Sequence, residues 1–124
     1  MNNLIIQGVI MVIIDIIFLQ NYGGYIGKMI ENIQNKKFII NYNAAILCYM
    51  LMSFAFYYFI TKKNGNNTDA FILGLVIYGI YESTNMATFT DWKLKALFFD
   101  TLWGGCLFLL TKIISDIIFK KALL

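Results

Sequence analysis

Four apolar stretches, each close to bilayer-crossing length and each set off from the next by a polar segment, constrain this 124-residue chain more than any other feature. A helix needs about 20 residues to traverse a hydrocarbon core of roughly 30 Å. The stretches run near 4–20, 38–61, 70–90 and 96–119. Inside lipid the backbone polar groups find no water, so open sheet edges are excluded and each stretch is expected to be helical. The sequence predicts an all-α, multi-pass integral membrane protein: a bundle of four transmembrane helices forming one transmembrane domain over 1–124. Composition points the same way. Hydrophobic residues make up 60% of the chain and charged residues 14%, with no Pro, against about 25% charge in an average soluble domain. A soluble fold of this size leaves too much of its surface in water to hide that much apolar area.

Several function classes are excluded at this stage. The net charge of +3 rests on lysines scattered along the chain, which is no footprint for nucleic acid. The chain has no His, and Cys48 and Cys106 lie in different apolar stretches without a CxxC spacing. Zinc and thiol redox chemistry therefore have no ligand set, no metal or cofactor is expected, and the cysteines read as small packing residues. No basic leader precedes the first stretch, and Asn2, Asn3 and Gln7 take its place, so this stretch is expected to remain as a helix. Orientation is balanced: Lys28, Lys36, Lys37, Lys93 and Lys95 fall on one face, and Lys62, Lys63, Lys112, Lys120 and Lys121 on the other. The positive-inside rule has no asymmetry to act on.

The connectors differ in kind. Lys62 to Asn67 is a polar turn and Asp91-Trp92-Lys93 a short one, so spans two and three, and spans three and four, are expected to be antiparallel neighbours. Asn66-Asn67-Thr68 matches the glycosylation pattern but abuts a span. In the first connector Ile26, Met29, Ile30 and Ile33 follow i, i+3, i+4, i+7 spacing, with Lys28, Glu31, Asn32 and Asn35 opposite. That is the pattern of an amphipathic helix lying at the interface, or of a solvated continuation of span one.

Asp15, Glu82 and Asp100 sit inside three of the spans. An ionisable side chain in hydrocarbon is costly and marks a functional site by default. Alternating the span directions brings all three into the same half of the bilayer. Asp15 and Asp100 lie about five residues from their span ends, roughly 7 Å deep at 1.5 Å per residue, and Glu82 slightly deeper. No Lys lies at that depth. Either the acids carry protons or they share a cation or water. Tyr78, Tyr81, Glu82 and Asn85 line one strip of span three at three- and four-residue spacing. Asp100, Trp103, Gly104 and Thr111 share a face of span four, where the glycine permits close approach. Asn43 enters span two at the same membrane face. The expected site is thus Asp15, Glu82, Asn85, Asp100, Trp103, Tyr78, Tyr81 and Asn43. The plainer alternative is that these groups only hydrogen-bond one another, at about 0.6 to 2 kcal/mol each, to pack the bundle.

Asp15-Ile16-Ile17-Phe18-Leu19, Tyr25-Ile26-Gly27, Asn43-Ala44-Ala45-Ile46 with Tyr49, the run from Tyr78 to Thr88 with Trp92, and Asp100-Thr101-Leu102-Trp103-Gly104 resemble the successive motifs of the predicted membrane-protein family known as domain of unknown function 2177. The resemblance covers nearly the whole chain and implies a four-helix integral membrane protein, with no activity attached. It also implies that Asp is usual where this chain has Glu82, which lengthens the reach of that carboxyl by one methylene.

Two classes of function remain. The first is a transporter-like protein that binds a proton or small cation on the three carboxyl groups, as a homo-oligomer because four helices leave little room for a pathway. The second is a membrane enzyme, or its accessory, acting on a lipid or polyprenyl substrate, with a carboxyl as acid or base and Asn85 or Trp103 as donor. In either case the bilayer is the partner, and the ligand is a proton, a small cation or a lipid.

Overall fold

A computed structural model describes the backbone of residues 2–122 and the side chains of residues 2–120. The ends of the 1–124 range and the side chain of Lys121 lie outside the described residues. Four helices follow in order: α1 (Asn2–Gln34), α2 (Tyr42–Phe56, prolonged by a π-helical turn, Tyr57–Thr61), α3 (Asn67–Thr88) and α4 (Leu94–Ala122). All four are long and apolar enough to cross a membrane. Their outward faces are apolar along their length, with Ile5, Val9, Ile13, Ile46, Ile80, Phe98 and Phe99 among the exposed residues. In water such a surface would drive aggregation; in lipid it is solvated.

Asparagine punctuates the helices. Asn35 and Asn64 take the left-handed conformation at φ 54°, which an Asn adopts more readily than other residues with a Cβ. Asn41 caps α2, its side-chain oxygen accepting from the Ala44 amide at 3.1 Å, so the span expected from 38 becomes helical only at Tyr42. At α3 the Asn66 side chain accepts from the Asp69 amide while the Asp69 carboxylate accepts from the Asn66 amide, both at 2.8 Å. This reciprocal capping box gives Asn66, the first residue of the glycosylation-like triplet, a structural role.

The first connector holds no separate interfacial helix. Residues 26–33 continue α1 without a break, and 33 residues at 1.5 Å each give a rod of about 50 Å. No Pro interrupts it, and Gly23 and Gly24 show no positive φ. The apolar side found in the sequence does exist, but its partner is protein: Met29 buries with Trp92 and Ala96, flanked by Ile26, Ile30, Ile33 and Met86. A face already covered by the neighbouring loop has no need to lie in the headgroups.

Small residues decide which helices pack closely. The tight backbone pairs are α3 with α4, α1 with α4 and α1 with α2; α2 and α3, joined by a short turn, are not among them. The glycines of α3 are used against α4. A methyl at Gly74 would overlap the Gly104 carbonyl, and one at Gly79 would press on Thr101. Gly8 of α1 lies against Ser53 of α2, where an added Cβ would come within 2.8 Å of the Ser53 hydroxyl. Gly74→Ala is therefore expected to force α3 from α4 and cost about 1–3 kcal/mol, as overpacking does in a filled core. Thermal unfolding in detergent micelles measures this, and an unchanged melting temperature would show that the pair separates freely.

Between the helices, Met11, Met52, Phe56, Ile60, Ala70, Leu107 and Phe108 form a buried apolar cluster, in which the rings of Phe56 and Phe108 meet edge to face at 5.8 Å. Beyond it, on the side of the α2–α3 turn, Gln7 accepts a hydrogen bond from the Thr61 hydroxyl at 2.9 Å, and Lys112 pairs with Asp116 one turn on. On the opposite side the α3–α4 loop meets the end of α1, the Lys93 amide pointing at the Met29 sulfur. Cys48 is exposed and Cys106 half-buried, so the first faces outward instead of packing inside.

Candidate functional site

Each acid occupies the inward stripe of its helix. On α1 the stripe runs Gln7, Met11, Asp15; on α3 it runs Ala70, Gly74, Tyr78, Glu82; on α4 it runs Ala96, Asp100, Gly104, Phe108. Four-residue steps keep these positions on one helical face, and small or apolar members of each stripe draw the helices together around the acids. Asp15, Glu82 and Asp100 consequently line a single cavity of about 170 Å³, together with Phe18, Leu19, Tyr22 and Ile26 of α1, Tyr78 and Tyr81 of α3, and Trp92 of the α3–α4 loop. Among the described residues no lysine lines it; the ammonium of Lys95 lies over the Tyr25 ring instead, 4.9 Å from its centroid.

The two most buried acids are held in opposite ways. Asp15 is 5% exposed, and both its oxygens accept hydrogen bonds: one from the Trp103 indole at 2.8 Å, the other from the Tyr49 hydroxyl. It thereby ties α1 to α2 and α4, with Phe18 stacked on Trp103 at 4.2 Å and 8° fixing the indole plane. Glu82 is 0% exposed, and neither of its oxygens has a hydrogen-bond partner. The Tyr22 hydroxyl and the Trp92 indole N–H, on the same cavity, are likewise buried and unpartnered. Buried polar atoms are nearly always satisfied, so the Tyr22 hydroxyl and the Glu82 carboxyl, beside which the Trp92 indole lies without closing a hydrogen bond, require an explanation. Asp100 lines the same space and is half-buried. Among the described residues no three acidic, Cys or His groups converge closely enough to hold a metal ion.

The remaining expected residues divide. Tyr78 and Tyr81 line the cavity, and Trp103 reaches it through Asp15. Asn85 is half-buried one turn past Glu82 and does not line the cavity, while Asn43 is exposed in the first turn of α2. Asn43 sits too near the helix start, and it is Tyr49, nearly two turns further in, that reaches Asp15. Sequence reasoning left out Tyr22, which stands seven residues from Asp15 on the same face and was open to inference from that spacing. Tyr49 and Trp92 carried only the family motif as a signal; their approach depends on how α2 and the α3–α4 loop fold.

A family model described as a predicted membrane protein (DUF2177) matches residues 2–117. No curated protein and no solved structure matches the chain.

Proposed function

The chain belongs to the DUF2177 family of predicted membrane proteins, and on that premise we propose that its cavity of three acids is an intramembrane site for a positive charge, a proton or a small cation. The observation that carries this reading is the Glu82 carboxyl, fully buried with both oxygens unpartnered in a cavity that also receives Asp15 and Asp100 and no lysine. A carboxyl so placed is costly to the fold unless a proton or cation completes it. Passage across the membrane through one chain meets the plug of fully buried Met11, Phe56, Leu107 and Phe108. Transport therefore requires a rearrangement of that plug or a pathway between copies; binding requires neither.

Asp100→Asn, which mimics the neutral acid at nearly constant shape, is expected to leave the fold and melting temperature near wild type. It should abolish proton or cation uptake by reconstituted liposomes, together with its dependence on pH between about 5 and 9. A variant that stays folded, with uptake and pH profile unchanged, overturns the exchange role of Asp100.

The second reading, a membrane enzyme or accessory acting on a lipid, draws support from the cavity's side wall. Leu19 and Tyr81 both line the cavity and are exposed on the lipid-facing surface. As donors in that chemistry Asn85 and Trp103 are poorly placed, since Asn85 lies off the cavity and the Trp103 N–H is engaged by Asp15. The donors on the cavity are Tyr22 and Trp92, the latter beside Glu82. Product formation from extracted lipids, abolished by Glu82→Gln, tests it.

A further inference from the structure

We propose that the positive charge this cavity receives is the ammonium group of a long-chain amphiphile, which enters sideways from the bilayer between α1 and α3. The inference rests on the reading of the cavity as an acid site and adds to it the ligand's chemistry and its route.

The route follows from what surrounds the cavity. Toward the water on its own side it is bounded by the apolar cluster of Met29, Trp92 and Ala96, onto which the long end of α1 packs its Ile26, Ile30 and Ile33. Toward the other side it is closed by the Met11, Phe56 and Phe108 plug. Its lateral wall is different. The backbones of α1 and α3 are not a closely packed pair, and two of the lining residues, Leu19 of α1 and Tyr81 of α3, are 43% and 54% exposed. An ion dissolved in water has to pass an apolar seal to reach Glu82; a headgroup whose chain stays in lipid does not.

The chemistry follows from the lining. Three carboxyl groups share it with the rings of Phe18, Tyr22, Tyr78, Tyr81 and Trp92. Aromatic faces around an acidic centre are the recognised means of holding ammonium groups, because the ring quadrupole attracts a cation with little hydration cost. The unpartnered Glu82 oxygens accept the N–H donors that such a headgroup brings. The volume, about 170 Å³, suits a headgroup alone and leaves the aliphatic chain outside among the exposed apolar residues.

Both tryptophans of the chain are at the site, Trp92 on the cavity and Trp103 on Asp15, so intrinsic fluorescence reports binding. The full chain in non-ionic maltoside micelles is titrated with dodecylammonium, ethylammonium, sodium and dodecanol. Dodecylammonium is expected to shift the emission saturably, with a half-saturation at least about tenfold below that of ethylammonium. Glu82→Gln should lose the shift, Glu82→Asp should retain part of it, and Leu19→Phe, which narrows the lateral gap, should weaken it several-fold. Ethylammonium or sodium matching dodecylammonium, with both lost in Glu82→Gln, overturns lateral entry and leaves the acid site standing. Dodecanol matching dodecylammonium overturns the ammonium assignment. Wild-type binding by both Glu82→Gln and Asp100→Asn overturns the acid site and this inference with it; Asp100→Asn also serves in place of a Glu82→Gln protein that fails to fold.

Discussion

Asp15→Ala is expected to lower the unfolding free energy by about 3 kcal/mol, because it leaves two donors without an acceptor in a buried place, at roughly 1–3 kcal/mol for each orphaned group. The Trp103 indole and the Tyr49 hydroxyl both end on this carboxylate, and with it go the links from α1 to α4 and α2. Asp15→Asn is the informative companion. Its amide keeps one oxygen for the Trp103 N–H, which can only donate. The Tyr49 hydroxyl can turn to accept from the new NH2, since a hydroxyl serves either role. Asn is therefore expected to recover most of the stability that Ala loses. Unfolding titrations in mixed micelles measure both, and an Asn variant as unstable as Ala would show that the charge of Asp15, beyond its acceptor capacity, holds the helices.

Glu82→Leu is expected to have the opposite sign, raising stability by about 1–3 kcal/mol in the absence of ligand. The side chain is fully buried and its oxygens have no partner, so the substitution removes an unmet desolvation cost. Apolar residues of similar volume commonly replace buried polar groups without loss or with gain. The same variant should lose the fluorescence response to dodecylammonium. A stabilised protein that no longer binds is the signature of a residue kept for function at the expense of the fold. A Glu82→Leu protein as weakened as Asp15→Ala would mean that Glu82 is a structural contact.

The contrast between these two acids was not legible in the sequence, where both are single carboxyls in apolar runs. Which of them has donors depends on the rotation of α2, and nothing in residues 42–56 sets that rotation locally: of the helix only Met52, Ser53 and Phe56 are buried. The apolar face of residues 26–33 was legible as periodicity, yet its partner was not. Periodicity shows that a face must be covered, while Trp92 and Ala96 cover it from a distant part of the chain. Asn43 lies off the cavity for a related reason. Its depth was counted from an apolar run that begins at Phe38, whereas the helix begins after the Asn41 cap.

The sequence by itself determined the solvent and the number of crossings, since four apolar runs of spanning length admit only helices in lipid. It also pointed to one level of the bundle for the three acids, because alternation of direction and distance along a helix are arithmetic, and the three line one cavity. Tertiary structure alone decided which helices touch, through glycines such as Gly74 and Gly104 that let α3 and α4 close. It also decided that Asp15 is satisfied while the Glu82 oxygens have no hydrogen-bond partner, and that Leu19 and Tyr81 of the cavity lining are exposed. Such features depend on helix rotation and separation, and these are settled by contacts between residues far apart in the chain, which no local pattern encodes.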